Sequence, residues 1–69
     1  MTHLEYRDAI ATLGLTQVSA AHLLGVASRT SRHWAKGDRN IPPPVARFLR
    51  FLIADEIHPA YVLKALSNE

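Results

Sequence analysis

Cysteine is absent from this 69-residue sequence, so the chain has neither disulfides nor thiolate metal ligands. Its stability must therefore come from the packing of its apolar residues. No stretch approaches the roughly 20 apolar residues of a membrane span. The charged start MTHLEYRDAI also lacks the apolar run of a signal peptide. These absences favour a small protein of the reducing cytoplasm without a membrane partner.

Catalytic and metal-binding patterns are missing as well. The histidines are His3, His22, His33 and His58. None of them forms an H-x-x-x-H pair or a His/carboxylate cluster at metal-ligand spacing. The sequence has no glycine-rich phosphate loop and no serine in a G-x-S-x-G context, and so short a chain does not readily enclose a catalytic pocket. We therefore expect no enzyme activity, no metal site and no cofactor.

What the sequence does contain is a helical pattern of apolar residues, which make up 48% of the chain and favour a folded domain. Their spacing predicts five helices: 3–13, 16–25, 27–36, 45–57 and a last one from residue 59. In the first helix, Tyr6, Ile10 and Leu13 form an apolar stripe. We predict one all-α domain over residues 1–69, a compact bundle of five short helices, with residues 67–69 frayed.

Residues 14–37 predict two short helices joined by a tight turn. The first has an apolar face formed by Leu15, Val18, Ala21 and Leu24. Thr16 can cap it, and Gly25 can end it in a left-handed conformation. The second, 27–36, places Trp34 on its inner side, where we expect burial against helices two and four. Its outer side is polar and basic: Ser28, Arg29, Arg32, His33 and Lys36. This is the helix-turn-helix pattern that enters a major groove.

Positive charge is concentrated in the middle of the chain. Residues 29–50 contain six of the eight Lys and Arg residues and a single acid, Asp38. A basic region between acidic ends is expected of a surface that binds a polyanion, although a solvated charged surface would have the same composition.

The loop that follows contains three consecutive prolines, 42–44, which cannot form a helix interior. Pro43 or Pro44 can occupy the first position of helix four, and Ile41 is predicted to enter the core. A proline-rich segment can also bind a proline-recognising module, but its place between two helices favours a structural linker.

An ordered set of residues resembles the phage-repressor (Cro/Xre-like) family of helix-turn-helix DNA-binding domains: Leu15, Thr16, Gln17, Ala21, Leu24, Gly25, Val26, Trp34 and Gly37. The resemblance covers most of the chain. It implies a lambda-repressor-like fold and sequence-specific binding of double-stranded DNA by a small, repressor-like transcription regulator. A bacterial or phage origin and association with the nucleoid follow from the same resemblance.

The chain also departs from the family at three positions. Ala27 replaces the usual capping Ser or Thr, so Ser28 is the alternative cap of helix three. Ser31 replaces a branched apolar residue that faces helix two, and Ala35 replaces a common acidic residue.

If the helix-turn-helix motif holds, helix 27–36 reads bases in the major groove through Ser28, Arg29, Arg32 and His33, and either arginine can bind guanine O6 and N7 as a bidentate pair. The resemblance implies that phosphates are bound at the start of helix two and in the loop after helix three, by Thr16, Gln17, Lys36, Arg39 and Asn40. The alternative for each of these side chains is an exposed polar residue that makes no contact with DNA.

Helices four and five have more apolar residues than one small core can bury. We predict that the surplus forms a homodimer interface consisting of Phe51, Ile53, Tyr61, Val62 and Leu66. Two alternatives remain at this stage. Helix five can fold over helix one and bury these residues in the core. The fold can also serve mainly as a protein-interaction module, antitoxin-like or phage-accessory, with DNA binding secondary.

Overall fold

The computed structural model describes residues 1–67, which form five α-helices and, within that range, no β-strand. The helices are α1 (His3–Thr12), α2 (Gln17–Leu24), α3 (Ser28–Lys36), α4 (Pro43–Ala54) and α5 (Pro59–Ser67). The all-α prediction with five helices is confirmed. Ser67, which was predicted to fray, is the last residue of α5. Asn68 and Glu69, part of the same prediction and of the predicted domain, lie outside the described residues.

Threonine side chains cap the N-termini of α1 and α2. Thr2 Oγ1 accepts the Glu5 backbone N–H at 3.1 Å, and the Glu5 carboxylate accepts the Thr2 N–H at 2.8 Å. Thr16 and Ser19 form the equivalent reciprocal pair in α2, which confirms Thr16 as a cap. The hydrogen bonds of Thr2, chiefly that from its backbone N–H, hold the pKa of Glu5 below its usual value, because they favour the charged carboxylate.

Several helix boundaries differ from the prediction. Ala27 is the N-cap of α3 and no side chain caps the helix, so the predicted cap Ser28 is wrong. Helix α4 begins at Pro43. The missing backbone N–H of proline costs no hydrogen bond there, because the first N–H groups of a helix have no partner within the helix. Helix α4 ends at Ala54 rather than Ile57, because Glu56 adopts a left-handed φ of 54° and reverses the chain.

The core lies where α1, α2, α3 and α4 meet. Trp34 is 5% exposed and packs edge-on against Tyr6, with ring centroids 5.7 Å apart and planes at 80°. Both rings belong to a cluster with Ala20 of α2 and Leu49 of α4, so the predicted burial of Trp34 is confirmed. The loop residue Ile41 is also buried in this cluster, as predicted.

One packing prediction is corrected, and one alternative is not observed. Val18 is 66% exposed, because the buried side of α2 consists of Ala20, Ala21 and Leu23 and Val18 lies on the side of the exposed His22. Helix α5 makes its main contact with α2 rather than with α1. Among the described residues, no helix combines the length and hydropathy that crossing a membrane requires.

Candidate nucleic-acid interface

The candidate interface is the outer side of α3, which is held from below by the rest of the domain. Ser31, Trp34 and Ala35 form the buried side of α3. The opposite side consists of exposed Arg29 and Lys36 and half-buried His33, whereas exposed Arg32 and half-buried Ser28 lie along its edge next to Ala35. All four predicted base-reading residues therefore lie on one helix, together with Lys36. Helices α2 and α3 make the most extensive helix–helix contact in the domain. This contact fixes the position of the outer side of α3 relative to the start of α2.

A buried polar chain links three helices beneath this surface. Ser31 is 0% exposed, and its Oγ lies 2.6 Å from the Tyr6 hydroxyl oxygen and 2.7 Å from Gln17 Oε1. A serine hydroxyl has one proton, and an amide oxygen can only accept. Ser31 therefore donates to Gln17, and the Tyr6 hydroxyl donates to Ser31. This chain explains how the core accommodates a serine, since the Ser31 hydroxyl both donates and accepts a hydrogen bond.

Burial also changes the acidity of the tyrosine in this chain. Removal from water raises the pKa of Tyr6 above its ordinary value, and the hydrogen bond to Ser31 offsets part of that rise. The tyrosine is therefore held neutral and remains a hydrogen-bond donor to Ser31 at physiological pH.

A cationic cavity opens beside the polar chain, at the junction of α1, α2 and α3. It has a volume of about 270 Å³ and is lined by Arg7, Gln17, Arg32, Ala35 and Lys36. The lining includes three cations and no carboxylate. Two of the predicted phosphate-binding residues, Gln17 and Lys36, are brought together here, and Arg32 faces the same space. We name this space the α1–α3 cavity.

Arg7 is the residue of this cavity that the sequence analysis missed. It lies on α1, outside the basic segment 29–50 and next to Asp8, so composition gave no reason to single it out. The one available signal was its position directly after Tyr6, whose burial orients the first turns of α1.

The other predicted phosphate-binding residues lie elsewhere. Thr16 Oγ1 caps α2 through Ser19. Arg39 and Asn40 are exposed and line a separate cavity of about 310 Å³ between the start of α1 and the loop after α3. The structure therefore divides the predicted phosphate-binding set: Gln17 and Lys36 line one cavity, Arg39 and Asn40 line another, and Thr16 lines neither.

His33 is engaged by the loop that follows α3. Its Nδ1 lies 3.2 Å from the Asp38 carboxylate, and both side chains are partly exposed. Such an exposed pair stabilises a fold by at most about 1 kcal/mol. Its main consequence is local, since it directs the His33 ring toward the C-terminal end of the helix and leaves Arg29 as the unpaired side chain at the centre of the outer surface.

The predicted dimer residues are divided by the fold. Phe51, Tyr61 and Leu66 are 51%, 72% and 46% exposed, whereas Ile53 and Val62 are half-buried. Val62 and Leu66 line an apolar groove between α2, α4 and α5; its other lining residues are Leu23, Leu24, Pro44, Val45 and Phe48. Ile53 lines a different cavity, near the end of α1 and the α4–α5 turn.

Compared with protein-family models, curated proteins and solved structures, the chain matches none. Within residues 1–67, no group of three or more potential ligand side chains is placed to hold a metal ion.

Proposed function

We propose that this chain is a sequence-specific double-stranded DNA-binding domain of the helix-turn-helix type, with a lambda-repressor-like arrangement, and not an enzyme. In this proposal α3 enters the major groove and α2 lies across the sugar-phosphate backbone. The observation that supports it is the division of α3, with a polar and basic outer side opposite a buried side of Ser31, Trp34 and Ala35. Cellular activity as a cytoplasmic repressor is part of the same proposal.

The geometry favours Arg29 as the principal base-reading residue. It is exposed at the centre of the outer side of α3, and its guanidinium group can donate two hydrogen bonds to guanine O6 and N7. His33 lies beside it and Ser28 lies at the edge of the same side, and each can donate or accept a hydrogen bond. Arg39 and Asn40 lie in the loop beyond α3, where they can bind phosphates and fix the orientation of the helix.

Random-site selection with the purified chain tests this proposal, followed by fluorescence anisotropy on the enriched duplex and on a scrambled duplex. We expect Arg29→Ala to reduce the discrimination between the two duplexes by about 1–3 kcal/mol. Arg39→Ala should instead weaken both duplexes alike and reduce the salt slope by about one unit. If the wild-type chain binds no duplex at low salt, the proposed function is wrong. If the two variants behave identically, the division between base-reading and phosphate-binding residues is wrong.

We also propose that the chain binds DNA as a homodimer through α4 and α5. A single short recognition helix reads few base pairs, whereas a two-fold dimer reads two half-sites about 34 Å apart. The exposed apolar side chains Phe51, Tyr61 and Leu66 support this interface. Analytical ultracentrifugation over a concentration series, with and without DNA, measures the association. A strict monomer under both conditions would refute the dimer, as would a Tyr61→Glu/Val62→Glu variant that melts without a change in association.

The same apolar surface supports a second candidate function, a protein-interaction module with DNA binding secondary. The groove between α2, α4 and α5 would then receive a segment of another protein. This candidate replaces the first if the wild-type chain binds no duplex at low salt.

A further inference from the structure

The α1–α3 cavity has the chemistry of an anion site. Arg7, Arg32 and Lys36 line it without a carboxylate, and the one contact between a basic side chain and a carboxylate within residues 1–67 joins His33 to Asp38 instead. Arg32 and Lys36 are four residues apart on one helix, where like charges repel and destabilise the helix. An anion between the three cations would remove this repulsion.

The hydrogen-bond chain fixes what Gln17 presents to the cavity. Gln17 Oε1 accepts the Ser31 hydroxyl at 2.7 Å, so the amide nitrogen is the end of the side chain directed away from Ser31. That nitrogen has two N–H donors and no acceptor capacity. Tyr6 holds Ser31 at 2.6 Å and thereby acts on Gln17 without facing the cavity itself.

We propose that the α1–α3 cavity binds one phosphate group through Arg7, Arg32, Lys36 and the Gln17 amide, and that Tyr6 is a positioning residue that acts through Ser31. Building on the proposed function, the phosphate is a phosphodiester of the DNA backbone. Arg32 is then an anchor rather than a base-reading residue. Arginine suits this role because its planar guanidinium group donates two parallel hydrogen bonds to phosphate oxygens.

Gln17→Glu provides a sharp test because the substitution preserves size and the acceptor for Ser31, yet removes both N–H donors and adds a negative charge. We expect Gln17→Glu and Arg7→Ala each to weaken binding of the selected duplex about ten- to a hundredfold. Lys64→Ala, which removes an exposed cation of α5, is the control and should bind like wild type.

A methylphosphonate scan, which replaces one phosphate of the duplex at a time by a neutral group, locates the contact. In the wild type we expect one position per half-site to weaken binding most. In Arg7→Ala and Gln17→Glu the same position should lose most of its effect. If both variants bind like Lys64→Ala, or keep the wild-type scan, the cavity is not the phosphate site although DNA binding stands.

A second arm separates the cavity from the proposed function. If no duplex binds, titration of the ¹⁵N-labelled wild type with inorganic phosphate decides the outcome. Saturable shifts of the Arg7 and Gln17 side-chain resonances in the wild type, with loss of the Arg7 shift in Gln17→Glu, would show a site for free phosphate and refute only its DNA source. Absence of such shifts would overturn the cavity proposal.

The role of Tyr6 has its own readout. We expect Tyr6→Phe to weaken duplex binding several-fold in the wild-type background and to have no further effect in Gln17→Ala, because Tyr6 acts only through Gln17. An equal loss in both backgrounds, measured well below the melting temperature of each variant, would show that Tyr6 acts on the fold as a whole and would refute its positioning role.

Discussion

The buried hydrogen bond between Tyr6 and Ser31 allows a direct test of how much these two hydroxyl groups contribute to the stability of the fold. Both side chains are 0% exposed and their oxygens are 2.6 Å apart. Ser31→Ala removes the acceptor and leaves the Tyr6 hydroxyl buried without a partner. A buried donor in this state costs about 1–3 kcal/mol. We therefore expect Ser31→Ala to lower the free energy of unfolding by that amount.

The single variant Tyr6→Phe and the double variant Tyr6→Phe/Ser31→Ala complete a double-mutant cycle with Ser31→Ala and the wild type. Tyr6→Phe removes the hydrogen bond that the Tyr6 hydroxyl donates to Ser31 and leaves no buried donor without a partner, so it should cost about 0.5–1.5 kcal/mol, the net value of one hydrogen bond. In Tyr6→Phe/Ser31→Ala no stranded hydroxyl remains. The double variant should therefore be more stable than the sum of the single losses predicts, by about 1–2 kcal/mol, as expected of residues in contact.

Urea unfolding followed by circular dichroism measures all four proteins. In a domain of this size, each kcal/mol lowers the melting temperature by about 4–8 °C, so thermal scans provide a second readout. Additive losses, within about 0.5 kcal/mol, would refute the assignment of a direct hydrogen bond. A Ser31→Ala variant as stable as wild type would show that the Tyr6 hydroxyl finds another partner.

Three further predictions concern the stability of the fold. Trp34→Ala should cost about 3–5 kcal/mol in urea unfolding because the ring is 5% exposed, and an unchanged midpoint would contradict its burial. Gly37→Ala should cost more than Gly14→Ala: both glycines have positive φ, but only at Gly37 would a new Cβ meet the His3 ring, at 3.1 Å. Equal losses would show that His3 moves aside. Since burial raises the pKa of Tyr6, its contribution to stability is complete below the unfolded value of about 10 and is lost as pH rises through the folded value. Tyr6→Phe should make the urea midpoint less sensitive to pH above about 9, and the same sensitivity in both proteins would refute this.

The local signals of the sequence predicted the helices well. Caps, glycines and the apolar spacing indicated α1, α2 and α3 to within a residue or so, because each signal acts within one turn of the chain. The end of α4 was predicted too late because Glu56 is neither glycine nor asparagine, and its left-handed φ of 54° has no sequence signature.

What the sequence could not predict depends on contacts between distant residues. The Tyr6–Ser31 hydrogen bond spans 25 positions and the Ser31–Gln17 bond spans 14, so Ser31 appeared only as a departure from an apolar pattern. The sequence could not place Arg7 in the candidate site either, because its proximity to Arg32 results from the packing of α1 on α3. Val18 has the helical spacing of the apolar residues of α2, but packing of α2 against α3 and α5 decides which side of α2 is buried.

The way α3 is stabilised makes its outer side chains suitable for mutation. The helix has nine residues and no side-chain cap, and isolated helices shorter than about 12 residues are marginal in water. Its stability therefore comes mainly from the buried contacts of Trp34, Ala35 and Ser31, and not from Arg29 on the opposite side. Substitution of Arg29 should change binding and leave the melting temperature nearly constant. A loss of affinity in Arg29→Ala can then be attributed to the interface and not to unfolding.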